Sequence, residues 1–165
     1  MATVTLKGNA INTNGSLPQT GTKAPNFKLT AGDLSVKSLS DFSGSKLILN
    51  IFPSIDTGTC AMSVKKFNEK AAATENTKVL CISRDLPFAQ SRFCGAEGVE
   101  NVITLSDYNT GAFGKDYGLE FTDGPLLGLH SRAIVVVDEN GTIMHTEQVG
   151  EIVDEPNYEA ALNAL

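Results

Sequence analysis

Residues 46–71, KLILNIFPSIDTGTCAMSVKKFNEKA, combine an apolar run with a helical pattern of apolar side chains. Residues 47–52 are almost continuously apolar, which is typical of a strand covered on both faces. Pro53 ends that strand, because proline cannot donate to a central sheet ladder. Side chains suited to a buried helix face then recur at helical spacing, at Cys60, Val64, Phe67 and Ala71. The stretch predicts a buried strand, a short loop and a helix that begins close to Cys60.

The rest of the chain continues this alternation of strands and helices. Further strands are predicted at residues 78–82, 102–105, 133–137 and 142–149, and further helices at 85–96, 110–117 and 156–165. Before residue 46 we expect a hairpin around Lys7-Gly8-Asn9 and two short strands at 27–29 and 34–36. In this scheme Asp85 caps the second helix and Pro156 opens the last one.

This order of elements predicts an α/β protein with a central mixed sheet, helices on both faces and an added N-terminal β-hairpin. No repeat or linker divides the chain, so we expect a single domain over residues 1–165. In such sheets, ligand chemistry gathers at the carboxyl ends of the strands. The segment from Pro53 to Cys60 is predicted to lie at such an end.

Composition narrows the classes of function. The 165 residues carry a formal net charge of −6 and a sequence pI of about 4.8, which argues against binding nucleic acid or an anionic membrane. No apolar run is long enough to span a membrane and no signal peptide is visible, so we expect a cytoplasmic protein. Three cysteines are too few, and odd in number, for a disulfide scaffold, and are more often catalytic, redox-active or buried.

The residues from Pro53 to Cys60 are of the types expected at a reactive thiol site. A cysteine at a helix N-terminus is favoured as the thiolate by the helix dipole and the unpaired backbone N–H groups. Thr57 can place a hydroxyl beside the sulfur, and Pro53 can shield the sulfur from water. Arg132 directly precedes a strongly apolar strand, so its guanidinium is expected near an end of the sheet.

The pattern Pro53-x-x-x-Thr57-x-x-Cys60 resembles the signature of peroxiredoxins. The longer runs SIDTGTCAMSVKKFN and VLCISRDLPFAQSRFCGAEG resemble the bacterial thioredoxin-dependent thiol peroxidases, and the similarity extends over nearly the whole chain. This resemblance implies a thioredoxin-like fold and a peroxidatic Cys60 assisted by Thr57. It also implies a resolving Cys94 in the same chain and an active-site Arg132.

The same resemblance implies the reaction and its partners. A hydroperoxide, alkyl rather than hydrogen peroxide by preference, would oxidise Cys60, and thioredoxin would reduce the resulting Cys60–Cys94 disulfide. It further suggests a homodimer, and the chemistry needs no metal or organic cofactor. Apolar residues that could line a substrate pocket are Ile55, Met62, Phe88, Phe93, Leu126 and Leu127.

Several residues also have simpler interpretations. Cys81, inside an apolar run, is predicted to be a core residue, and His130 and His145 to be surface or hairpin residues. Zinc binding is disfavoured because paired cysteine ligands are lacking. The absence of a C-x-x-C motif likewise disfavours a thiol–disulfide oxidoreductase, whereas a redox sensor using Cys60 and Cys94 stays open.

A disulfide between two separately packed helices requires backbone movement, because its Cα atoms must come within about 7 Å. The segment 86–96 is the one expected to move, since it is short and Gln90, Ser91 and Arg92 are expected to tie down little of it. We therefore predict that the reduced protein holds Cys94 apart from Cys60 with this helix formed.

Overall fold

The computed structural model describes every residue from Met1 to Leu165. The strands are β1 (Thr3–Leu6), β2 (Asn9–Asn12), β3 (Lys28–Ala31), β4 (Val36–Ser38), β5 (Lys46–Ile51), β6 (Thr77–Ser83), β7 (Val102–Ser106), β8 (Ala133–Val137) and β9 (Ile143–Gln148). The α-helices are α1 (Gly58–Ala71), α2 (Pro87–Glu97), α3 (Ala112–Asp116) and α4 (Tyr158–Asn163), and a 3-10 helix spans Leu39–Phe42. The longest helix, α1, has 14 residues, and none has the length and apolar content of a membrane span.

Seven strands form one mixed sheet in the order β4-β3-β7-β6-β5-β8-β9. The central strands β5, β6 and β7 are parallel, whereas β8 is antiparallel to β5 and β3 is antiparallel to β7. Because β5, β6 and β7 are parallel, their carboxyl ends lie at one edge of the sheet. The loops that lead from β5 to α1 and from β6 to α2 therefore begin side by side.

Both faces of the sheet are covered, as the apolar sequence of β5 predicts. Leu47 and Leu49 belong to a core cluster that also contains Phe113 of α3. Ile48, which points the other way, belongs to a second cluster with Phe67 of α1. The predicted α/β class, with a thioredoxin-like mixed sheet between helices, is confirmed.

The N-terminal hairpin is confirmed as a separate two-stranded sheet of β1 and β2. Lys7 and Gly8 form its turn with φ values of 51° and 83°, the left-handed region that such tight hairpin turns require. The hairpin is joined to the body of the protein by a parallel bridge between Thr5 and Glu151.

Two short strands differ from prediction by one or two residues. The chain at Leu34 has φ 69°, and its N–H donates to the Ala31 carbonyl at 2.9 Å. Leu34 therefore lies in the turn between β3 and β4, and β4 begins only at Val36. The last helix likewise begins later than predicted, at Tyr158, where the side chain of Asn157 caps it by accepting from the Ala160 N–H.

The prediction that Asp85 caps the second helix is wrong. The residue in the capping position of α2 is Leu86, and Pro87 occupies the first turn as predicted. The carboxylate of Asp85 is instead bonded to the loop that precedes Cys60, with Ser54 Oγ and Ile55 N as two of its donors. Its hydrogen bonds are tertiary, and local sequence gives no signal for them.

The prediction that His130 lies at the surface or in a hairpin is also wrong. Its side chain is fully buried, its Nε2 lies 2.8 Å from Asp107 Oδ2, and its ring packs against Phe113 at a centroid distance of 5.7 Å. Asp107 also accepts from the backbone N–H of Gly114 at 3.0 Å, so this carboxylate joins the end of β7 to α3. His145 lies on β9, within the β8–β9 hairpin as expected.

Candidate active site

Cys60 lies on the first turn of α1, just beyond the carboxyl end of β5. β5 ends at Ile51, Pro53 is buried in the connecting loop, and Thr57 is the residue immediately before the helix. The first bond of the helix is donated by the Ala61 N–H to the Thr57 carbonyl at 2.9 Å. The N–H groups of the residues before Ala61 are therefore left outside the helical ladder, which favours an anion at this end.

Arg132 meets Cys60 directly. Its Nη2 lies 3.2 Å from Cys60 Sγ, and its Nε donates to the carbonyl oxygen of Ile152 at 3.0 Å. The arginine is only 1% exposed and Cys60 is fully buried. A buried guanidinium is costly without hydrogen-bond partners, and Cys60 Sγ and the Ile152 carbonyl are the two that Arg132 has in the protein.

The third nitrogen of that guanidinium, Arg132 Nη1, is buried and has no hydrogen-bond partner in the protein. Buried donors are nearly always paired, and this one belongs to the same rigid fork that contacts the sulfur. It can therefore donate to an oxygen atom of a molecule that approaches Cys60.

The hydroxyl of Thr57 is hydrogen-bonded within its own loop. Its Oγ1 donates to the carbonyl oxygen of Ser54 at 3.0 Å, and no hydrogen bond joins it to Cys60. Because the hydroxyl proton is used in this way, Oγ1 keeps lone pairs that can accept from another donor. The side chain is exposed, at the mouth of the loop.

Asp85 is the residue at this site whose position the sequence did not reveal. It accepts from Ser54 Oγ at 2.8 Å, from Ile55 N at 2.7 Å and from Ser83 Oγ at 2.5 Å. These bonds connect the end of β6 with the loop between β5 and α1. A charged acceptor in contact with three donors holds that loop more firmly than neutral bonds could.

Cys81 lies beneath the site and is confirmed as a core residue. It is fully buried, and burial raises the pKa of its thiol to about 12. Asn50 Nδ2 lies 3.7 Å from the Cys81 sulfur and donates to Ser63 Oγ at 3.2 Å, and Ser63 Oγ donates to the carbonyl of Cys60 at 2.8 Å. These contacts support the first turn of α1 from below.

Cys94 lies on α2 and is half-buried against the apolar cluster that contains Cys60 and Cys81. All three thiols are free, and burial raises the pKa of Cys94. The structure therefore has the predicted α2 helix formed with no Cys60–Cys94 disulfide.

The expectation that polar residues tie down little of α2 is wrong. Gln90 is fully buried, and its Nε2 donates to Ser83 Oγ at 3.1 Å and to the Leu105 carbonyl at 3.0 Å. Two ion pairs also join α2 to α1 and its loop. They are Arg92 with Asp56 at 3.1 Å and Lys65 with Glu97 at 2.9 Å.

The six apolar candidates for a substrate pocket divide by exposure. Ile55 and Phe93 are buried and belong to the cluster around Cys60. The exposed ones are Met62, Phe88 and Leu127, and Leu126 is intermediate. Four surface cavities of about 260 to 500 Å³ are lined by residues other than Cys60, Thr57 and Arg132.

The fold and the contact between a buried cysteine and a buried arginine define a thioredoxin-like protein with a peroxiredoxin architecture. Comparison with known proteins gives the same class. The profile of the Redoxin family matches residues 19–162. The thiol peroxidase of Mycobacterium tuberculosis is 58% identical over 165 residues, covering 100% of this chain and 99% of that protein.

Solved structures give the same result. A peroxiredoxin-like protein from Aquifex aeolicus is 35% identical, with a TM-score of 0.93 over 99% of this chain and 95% of its own. A thiol peroxidase from Chromobacterium violaceum is 22% identical, with a TM-score of 0.91 over 98% and 93% of the two chains, and shows the shared fold. The chain belongs to the Redoxin family, and it is a thiol peroxidase enzyme.

Proposed function

We propose that the protein reduces hydroperoxides at Cys60 and closes a disulfide with Cys94 that thioredoxin then reduces. The observation that carries the proposal is the 3.2 Å contact between Arg132 Nη2 and Cys60 Sγ in a buried site at the start of α1. It places a permanent positive charge against a sulfur that must react as an anion.

The first step breaks the O–O bond of the peroxide. The Cys60 thiolate attacks the terminal oxygen of ROOH, which becomes the oxygen of a sulfenic acid, and RO⁻ leaves and is protonated to ROH. The free Arg132 Nη1 donates to a peroxide oxygen and stabilises the charge that develops there. Thr57 Oγ1 is available to accept a hydrogen bond from the O–H of the hydroperoxide and so orient the substrate.

The second step joins the two cysteines. The Cys94 thiol attacks the sulfur of the sulfenic acid, water leaves, and a Cys60–Cys94 disulfide forms. Since α2 holds Cys94 against the core by the bonds of Gln90 and two ion pairs, those contacts must open first. Thioredoxin, a dithiol, then reduces the disulfide by exchange and is itself oxidised.

Two further features belong to this proposal. A preference for alkyl hydroperoxide over hydrogen peroxide is proposed from the exposed apolar side chains of Met62 and Phe88, because the apolar chain of a substrate could leave water by packing on them. The low, odd cysteine count and three free thiols suit a reducing compartment such as the cytoplasm.

A homodimer is also proposed, from an exposed apolar surface beside the site. Arg84 donates to the carbonyls of Gly128 at 3.1 Å and Tyr108 at 3.4 Å, so it ties together the loops that follow β6 and β7 and the loop before β8. These loops and the start of α2 expose four large apolar side chains, Leu86, Phe88, Tyr108 and Leu127. We propose that a second copy of this chain covers them.

The test is peroxide-dependent NADPH consumption with thioredoxin and thioredoxin reductase. Cys60→Ser should abolish turnover, and Cys94→Ser should lose thioredoxin-dependent turnover while still consuming one peroxide per chain. Cys81→Ala is the matched control and should keep its activity. A long-chain hydroperoxide should give a higher kcat/KM than hydrogen peroxide, and equal values would reject the apolar pocket.

A redox sensor that uses the same cysteines is the alternative. It would be oxidised once by peroxide but would pass its disulfide to a client protein, so thioredoxin would not sustain turnover. Single oxidation without repeated turnover would therefore favour the sensor over the peroxidase cycle.

A further inference from the structure

The segment between β9 and α4 forms one wall of the site. The carbonyl of Ile152 accepts from Arg132 Nε at 3.0 Å, and the carbonyl of Val153 accepts from Thr59 Oγ1 at 2.9 Å. Thr59 is the neighbour of Cys60 on the first turn of α1. Two successive carbonyls therefore fix both the arginine and the turn that carries the sulfur.

The N-terminal hairpin holds this segment in place. Backbone bonds join Thr5 N–H to the Gly150 carbonyl and Ile152 N–H to the Thr5 carbonyl, both at 2.8 Å. The side chain of Ile152 is buried in a small cluster with Val4, Ile11 and Phe121. The hairpin is thus built onto the stretch of chain whose carbonyl oxygens face Arg132 and Thr59.

The side chain of Glu151 joins the N-terminal hairpin to the segment between β9 and α4. Its carboxylate accepts from Thr5 Oγ1 at 2.7 Å, from Lys7 N at 2.8 Å and from Gly8 N at 3.1 Å. The hydroxyl of Thr5 and the N–H of Lys7 lower the pKa of Glu151 to about 2, so the carboxylate is charged at neutral pH. Both carboxylate oxygens are occupied, because Oε1 accepts from Lys7 N and Oε2 accepts from Thr5 Oγ1 and Gly8 N.

We propose that Glu151 is a positioning residue for the peroxidase reaction, because it fixes the Ile152 carbonyl that orients Arg132 against Cys60. This inference rests on the proposed function, in which Arg132 acts on the reacting sulfur. The guanidinium is rigid and planar, so the position of Nε sets where Nη1 and Nη2 point. A misplacement on the order of 1 Å at a reacting centre can cost about 100-fold in rate.

The chain offers a matched control in Asp123. Its carboxylate also binds the hairpin, accepting from Asn12 N at 2.9 Å and Asn12 Nδ2 at 2.7 Å. Those bonds are made to β2, and none reaches residues 150–153. Asp123→Asn therefore removes a carboxylate–hairpin contact of the same kind without loosening the carbonyl that holds Arg132.

The experiment compares Glu151→Gln with Asp123→Asn in the full-length protein. Reduced protein is mixed with excess hydroperoxide, quenched with an alkylating agent, and the remaining Cys60 thiol is quantified by mass spectrometry. We expect Glu151→Gln to slow this oxidation about tenfold, a partial form of the misplacement cost, and to shift the pH midpoint of Cys60 alkylation upward. Asp123→Asn should leave the oxidation rate within about twofold of that of the parent protein, the size of effect expected of a surface substitution, and should leave the pH midpoint of Cys60 alkylation unchanged.

Urea unfolding of both variants separates positioning from loss of stability. Equal rates and midpoints in Glu151→Gln and the parent would overturn the proposal, as would an equal slowing of both variants. If Glu151→Gln does not fold, Thr5→Val, which removes the hydroxyl donor, should slow oxidation in the same direction. A parent protein whose Cys60 is not oxidised by hydroperoxide would instead reject the proposed function itself.

Discussion

The sulfur of Cys60 and the guanidinium of Arg132 are both buried and 3.2 Å apart, so the permanent positive charge of the arginine acts directly on the sulfur. An arginine that precedes a strand is usually solvated, and the residue pattern alone did not predict that Arg132 contacts Cys60. The resemblance to peroxiredoxins implied the pairing, whereas residue pattern alone predicted only a place near the end of the sheet. The contact depends on tertiary packing of β8 against β5, which no local pattern reports.

Replacing Arg132 tests the role of that charge. Arg132→Ala should slow oxidation of Cys60 by peroxide on the order of 100-fold, the usual cost of one donor at a developing charge. It should also move the midpoint of thiol alkylation to higher pH, since the thiolate loses its cation. Arg132→Lys should recover part of the rate only, because an ammonium group lacks the rigid planar fork that holds the donors of a guanidinium at fixed positions. Unchanged alkylation in Arg132→Ala would remove the arginine from the mechanism.

Replacing Cys81, unlike replacing Arg132, is expected to leave the reaction unchanged. Because it is fully buried and burial raises its pKa to about 12, its thiol stays protonated and unreactive at neutral pH. Cys81→Ala should leave peroxide kinetics unchanged and lower the free energy of unfolding by about 1 kcal/mol, the cost of a small void. Chemical denaturation measures the loss. A mixed disulfide between Cys81 and thioredoxin would contradict the core assignment.

At the scale of elements, α2 is the part of the fold that the proposed cycle must rearrange. In the oxidised protein, backbone amides of residues 86–96 should exchange with solvent faster than in the reduced protein, because the disulfide pulls Cys94 out of its helical position. Amides of β5 and β6 serve as the internal control and should exchange equally in both forms. Equal protection of residues 86–96 in the two redox states would exclude the movement.

The ion pairs of α2 allow a second test of the same movement. Arg92 with Asp56 and Lys65 with Glu97 are largely exposed pairs, so together they contribute no more than about 1 kcal/mol. Removing both, by Arg92→Ala with Lys65→Ala, should speed disulfide formation by up to about fivefold. Lys66→Ala, which breaks a similar pair with Glu155 away from α2, is the control. A double variant no faster than this control would show that the pairs do not hold α2 closed.

Elements were predicted well where one periodicity dominated. The apolar runs of β5, β6 and β8 and the helical spacing of α1 placed those elements within a residue or two. Predictions for Asp85, His130 and Gln90 failed because each of these polar side chains is engaged by partners distant in sequence. A polar residue of that kind has the same local sequence pattern whether it is solvated or buried with a partner.

At the scale of the whole molecule, the proposed dimer predicts an oligomeric state. Sedimentation at micromolar concentration should give a dimer for the parent protein and a shift toward monomer for Phe88→Asp, because a carboxylate cannot be buried in an apolar interface without cost. Leu34→Asp, which introduces the same carboxylate at another exposed apolar residue, in the β3–β4 turn, is the control and should stay dimeric. A monomeric parent protein, or a dimer undisturbed by Phe88→Asp, would contradict the proposed surface.

Oxidation of Cys60 and its resolution by Cys94 can be followed in a single peroxide titration. Reduced protein receives one equivalent of alkyl hydroperoxide, remaining thiols are alkylated, and intact mass and peptide mapping identify the product. We expect an intact mass lower by two hydrogen atoms before alkylation, a disulfide between the Cys60 and Cys94 peptides, and a buried Cys81 thiol that is alkylated only after the protein is denatured. A product in which Cys60 remains a free thiol and is alkylated, or in which Cys81 takes part in the disulfide, would contradict these roles of Cys60 and Cys94.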